Sequence, residues 1–285
     1  MWLIPIVSRI LVANILCAYL LKLVTTRFNL KTENRTRWLG FIAIQFSVCF
    51  LIAATYAIVF GEFALDYQIV ILGVFNAFAV LCLWKAVDEN QAKASIFTYW
   101  DDLVGMSLAL WFLGEGNYIN SNLLLGIILS FAALIGFVAN EYRRKDKKVS
   151  SLSLYAYIAG YSLIWGVAFF AMRYWSKNGL PVGSFMLSWY GGSIVGAGSG
   201  IVFKRGAIDE LRQMFRGSLM ENARKYFILV LLSIGVIAAM FLSILSYKIP
   251  QIMVQPLFLI GEMIFPALIG LFVFRERKSF DLFDW

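Results

Sequence analysis

The feature that most constrains this chain is a series of apolar blocks, nearly free of charge and each about 20 residues long, the length a helix needs to cross the roughly 30 Å core of a bilayer. They fall near residues 3–24, 38–60, 68–86, 95–113, 119–139, 151–172, 181–203, 226–247 and 251–274. A soluble core could not hide them. Of 285 residues, 61% are hydrophobic and 15% charged, against roughly 45–50% and 25% in soluble domains. Irregular backbone cannot face lipid, so each block is predicted to be helical. The expected fold is an all-α integral membrane protein of about nine transmembrane helices. The first block starts at Met1 without a basic leader or a small-residue cleavage site, and reads as a retained helix rather than a signal peptide.

The net charge of +8 does not point to nucleic acid, because the basic residues sit in short loops between blocks. The loops after odd-numbered spans hold Lys22, Arg27, Lys31, Arg35 and Arg37, then Lys85 and Lys93, then the cluster from Arg143 to Lys148, then Lys204 to Lys225, and last Arg275, Arg277 and Lys278. The opposite side has only Arg173, Lys177 and Lys248. That asymmetry places the odd-numbered loops in the cytoplasm and the N-terminus outside, in a plasma or inner membrane. Within the loop at 206–221, Ile208, Leu211, Phe215 and Leu219 recur at helical spacing, which predicts a short helix lying on the membrane surface. Cys17, Cys49 and Cys82 each lie inside an apolar block and behave as small hydrophobes.

An internal repeat divides the chain into 1–140 and 151–285, joined by a basic linker at 141–150. A gap-free alignment of Leu83–Leu124 with Ile244–Trp285 sets Asp101 on Glu262 and Glu115 on Glu276. A weaker one sets "NILCAYLLKLV", with Lys22, on "WGVAFFAMRYW", with Arg173. Five spans per unit, an odd number, would insert the second copy upside down, the arrangement of carriers that alternate access around a site between halves. Trp285 aligns with Leu124, so a counterpart of the fifth span is missing from the second unit.

The segments "LWKAVDENQAKAS", "LWFLGEGNYINSNLLLGIIL" and "PALIGLFVFRERKSFD" resemble the drug/metabolite transporter superfamily, EamA type. The resemblance implies ten helices in two inverted five-helix repeats. Family members often carry an acidic residue followed by proline before the loop glutamate. Asp101 and Glu262 occupy the acidic position, but Asp102 and Met263 stand where the proline would be. The family usually starts in the cytoplasm, whereas the loop charges here place the N-terminus outside.

Asp101 lies near the middle of the fourth span and Glu262 at the centre of the ninth. A charge at such depth costs roughly 2.5–3.5 kcal/mol, and intramembrane carboxylates mostly face cavities or partners. Withdrawal from water favours a protonated carboxyl, which suits reversible protonation in a chain without histidine. Both acids are therefore candidates for binding a solute or a proton; hydrogen bonding that merely holds the bundle is the alternative. Asp102 is about 100° around the helix from Asp101, so the two can hardly point into one site; Asp102 stays a candidate for binding solute or proton, with a purely structural role equally open. Tyr99 and Trp100 could wall the site or hold a cation over a ring, although packing or lipid contact would also account for them. Arg9 could balance a carboxylate inside the bundle or snorkel to the outer surface. Glu115 and Glu276, at span ends where solvation is cheap, suggest a turn or gate. Gly192, Gly196 and Gly200 form a smooth face for helix packing.

No phosphate loop, His-Glu-x-x-His motif, metal-binding Cys/His cluster or cofactor fingerprint is present, and the lack of histidine excludes a His-based triad. The expected function is secondary transport of a small metabolite, amino acid or cationic compound, not enzymatic, with a solute and the bilayer as partners. Oligomeric state is open. A membrane-embedded lipid-modifying transferase and a noncatalytic scaffold or channel subunit are the rival readings.

Overall fold

The computed structural model describes residues 3–27, 35–98, 100–119, 152–202 and 219–276, together with helical residues 121, 124–126, 128–129, 132 and 136. The chain is all-helical, with no strand among the described residues. The first rod passes from α1 (Leu3–Ile10) through a π-helical stretch, Leu11–Cys17, into α2 (Ala18–Arg27). There follow α3 (Arg35–Phe60), α4 (Tyr67–Thr98), α5 (Trp100–Leu113) and a 3₁₀ turn at Glu115–Tyr118. The second half comprises α6 (Leu152–Lys177), α7 (Val182–Val202), α8 (Leu219–Ser246) and α9 (Gln251–Leu268), which runs on into a second π-helical stretch, Ile269–Val273.

Six helices among the described residues are long and apolar enough to cross a membrane: Leu3–Thr26, Trp38–Phe60, Tyr67–Ser95, Ser153–Lys177, Ala223–Ser246 and Gln251–Val273. Three of the nine expected spans are not among them, for separate reasons. The fourth contains α5, only 14 residues long. The seventh is α7, helical for 21 residues but diluted by glycine and serine. The fifth lies mostly outside the described residues, as do the 141–150 linker and the predicted surface helix at 206–221. The described surface is inverted relative to a soluble protein. Leu51, Ile58, Val59 and Trp111 are 65–86% exposed, whereas Arg9, Lys22, Asp101, Asp102 and Gln255 are buried.

The third and fourth spans are joined differently from expectation. Helix continues to Glu89, breaks at the single extended residue Asn90 (φ −161°, ψ 108°) and resumes at Gln91. The Asn90 carboxamide accepts the Lys93 N–H at 2.8 Å. This is N-cap geometry, in which a short polar side chain satisfies a donor that the new helix cannot. The break therefore needs one residue rather than a loop.

Helix α4 is the hub, packing against α7, α6 and α9, while α7 also packs on α3, α6 on α5, and α9 on α5 and α1. Close approach of α7 to α4 rests on glycine. A Cβ at Gly192 or Gly196 would overlap the Val70 or Val74 carbonyl, and one at Gly73 the Trp189 carbonyl. Gly200 instead meets the Leu39 side chain. The expected smooth face thus serves two neighbours. Small residues let helix backbones touch where no hydrophobic effect drives them together.

Candidate functional site

Three acids meet at the centre of the bundle. Asp101 and Asp102 open α5, Glu262 lies in α9, and one carboxylate oxygen from each falls within 4.8 Å of the others. Arg9, from α1, turns inward to form an ion pair with Glu262. Its guanidinium carbon sits 4.1 Å over the Phe258 ring, and its Nε donates to Ser243 Oγ at 3.4 Å. Of the two sequence-level alternatives for Arg9, the structure takes the inward one.

Asp102 joins Asp101 after all. The expectation that a 100° rotation would separate them assumes side chains that project radially. At the first turn of a helix the N–H groups lack intrahelical partners, and Asp101 Oδ1 folds back to accept the Asp102 N–H at 2.9 Å. The Gln255 amide donates to Asp102 Oδ1. Gln255 Oε1 in turn accepts from the Tyr247 hydroxyl at 2.6 Å and from Gln251 Nε2 at 3.3 Å. Like charges this close oppose simultaneous ionisation, and a single guanidinium cannot neutralise three carboxylates. The arrangement can hold and exchange protons. Its oxygens would also suit a hard cation, but the guanidinium already supplies positive charge at Glu262. Trp100 packs against the core, and Tyr99 lies outside the described residues.

Glu115 and Glu276, which the sequence alignment sets on one another, make their contacts at opposite ends of α9. Glu276 receives Lys22 Nζ at 2.7 Å, the Gln91 N–H at 3.3 Å and the Ala92 N–H at 2.9 Å. Lys22 also donates to the Val87 carbonyl at 2.7 Å. Glu115 receives Arg173 Nε at 2.7 Å and the Ile252 N–H at 3.2 Å, and Arg173 Nη1 donates to the Tyr247 carbonyl at 2.7 Å. Each carboxylate thus meets a basic side chain and the opening N–H groups of a helix, where the dipole favours negative charge. The expectation of cheap solvation fails for Glu115, whose side chain is only 4% exposed, because Arg173 and the start of α9 cover it. Nothing in the sequence beyond the weaker alignment marks Lys22 and Arg173 as partners of these glutamates.

Between these ends lies a cavity of about 210 Å³. Arg9 and Glu262 reach its wall, and so do Asn14, Gln45, Asn76, Gln91 and the aromatic rings of Tyr161, Trp165, Trp189 and Tyr190. Sequence reasoning missed these amides. Their only signal is a polar side chain inside an apolar block. In comparisons with known proteins, no family model and no curated protein matches the chain.

Proposed function

We propose that this chain is a secondary carrier that moves a small solute across a bilayer by alternating access between two inverted repeats, in the manner of the EamA-type transporters it resembles. The observation that carries the reading is the crossed pair of glutamate contacts. The alignment that sets Glu115 on Glu276 also sets Gln91 on Ile252, whose N–H groups those glutamates receive in crossed fashion. Lys22 and Arg173, the basic partners, are matched by the second alignment. Glu276 reaches from the second repeat to the first, and Glu115 from the first to the second. Each contact therefore ties the halves together at one end of the central cavity. Releasing one while the other holds would open the cavity to one side only, which is what alternating access requires.

The acid cluster of Asp101, Asp102 and Glu262 beside Arg9 supplies the coupling. Its protonation changes the charge that the halves share at mid-depth. The loop charges support a cytoplasmic position for the Lys22–Glu276 end. The test is solute flux in proteoliposomes across pH. Flux that varies with pH and is lost in Asp101→Asn and Glu262→Gln, with folding retained, is the expected result. Full activity in both variants, or no flux from folded protein, would overturn the reading.

A further inference from the structure

We infer that the cavity is built for a small uncharged solute with a flat or apolar face and an edge that both donates and accepts hydrogen bonds, a nucleobase or a monosaccharide ring. The inference deepens the carrier reading and rests on its taking this cavity as the solute site. Charge is the first argument. Arg9 and Glu262 line the cavity but are paired with each other, so a charged solute would have to displace one from the other. Asp101 and Asp102 are not among the residues that line the cavity, and the acid that does, Glu262, already faces Arg9, so the wall itself carries no bias toward a cation.

The second argument is the polar lining. Asn14 Nδ2, Gln45 Oε1, Asn76 Oδ1, Gln91 Oε1, Arg9 Nη1 and Trp165 Nε1 are buried, belong to cavity-lining residues and have no hydrogen-bond partner among the described residues. Buried polar atoms are nearly always paired, because each unpaired one forfeits its hydration for nothing. These come from the first rod, α3, α4 and α6, so their convergence is a property of the fold rather than of one segment. Carboxamides present both an acceptor and a donor, and they match a neutral ligand edge that does the same. The rings supply the apolar face: Trp165 lies 5.8 Å from Trp189 in an edge arrangement, and Phe46 6.4 Å from Tyr190. Water alone would satisfy amides but would gain nothing from aromatic walls.

Size is the third argument. A cavity of about 210 Å³ falls below the roughly 300–1,000 Å³ typical for drug-sized ligands, which leaves room for one ring and its substituents.

The test is calorimetric titration of the detergent-solubilised protein with uracil, adenine and glucose, against lysine and glutamate as charged probes. Saturable binding of a neutral probe, weakened at least tenfold in Gln45→Leu, is the expected result; bases and sugar as separate arms identify which ring class is taken. Asn76 also holds Ser193 through its Nδ2 at 2.9 Å, so Asn76→Leu is the second variant and is scored only if its thermal melt is preserved. Binding of lysine or glutamate without a neutral probe, neutral binding unchanged in Gln45→Leu, or no neutral binding by folded protein would each overturn the inference. Neutral binding without flux in proteoliposomes would keep it while removing the carrier reading, and lysine flux without neutral binding would do the reverse.

Discussion

Replacing Arg173 with methionine removes the cation that faces Glu115 and leaves the methylene bulk. In the native protein the two side chains are 9% and 4% exposed and meet at 2.7 Å, and the guanidinium also holds the Tyr247 carbonyl. After the substitution Glu115 keeps the Ile252 N–H but has lost its counter-charge. Stranding one member of a buried pair costs about 3–5 kcal/mol, against about 0–1 kcal/mol for a solvated surface pair. Glu115→Gln in the same chain should recover about 1–3 kcal/mol of that loss, since a neutral amide can still accept the Ile252 N–H and no buried charge is left unpaired. The assay is a double-mutant cycle on Glu115 and Arg173, read by circular dichroism as the protein unfolds in detergent. A cost under about 1 kcal/mol for Arg173→Met with additive behaviour in the cycle would show that the contact is solvated and ties nothing together.

Other substitutions test other parts of the structure. Gly192→Leu should abolish recovery of a monodisperse protein in size-exclusion chromatography, because its Cβ would overlap the Val70 carbonyl, whereas Gly198→Ala, with open space around it, should behave as wild type. Asn90→Ala should lower stability by about 0.5–2 kcal/mol through loss of the helix cap, measured by the same unfolding assay. Arg9→Leu should destabilise by about 3–5 kcal/mol by stranding Glu262. The Arg9→Leu, Glu262→Leu pair should be less damaged than Arg9→Leu alone; equal damage would show that the ion pair is not what holds α1 to α9.

Much of the bundle is legible in the sequence because lipid enforces a simple rule: blocks long enough to span are helical, and Trp38–Phe60 and Gln251–Val273 fall almost where the apolar blocks do. Asp101 and Glu262 stand out for the same reason, since a charge deep in an apolar block must meet something. What it meets is less legible. The rotation of a helix that is apolar on most faces is not fixed by periodicity, so nothing in the sequence points Asn14, Gln45, Asn76 and Gln91 at one cavity. Asp102 was misplaced because helical angle alone ignores the unpaired N–H groups of a first turn. Glu115 reads in the sequence as a solvated end because its cover, Arg173 and the start of α9, is distant along the chain.

The central claim is that two glutamate contacts close opposite ends of one cavity, and Cys17, which lines that cavity, can report it. In a Cys49→Ala, Cys82→Ala background, labelling of Cys17 by a membrane-impermeant maleimide would be compared in right-side-out and inverted vesicles. Glu276→Gln should raise labelling from the face at which Lys22 lies, Glu115→Gln should raise it from the opposite face, and each should leave the other face unchanged. Increased labelling from the same face in both variants, or no change in either, would contradict the account.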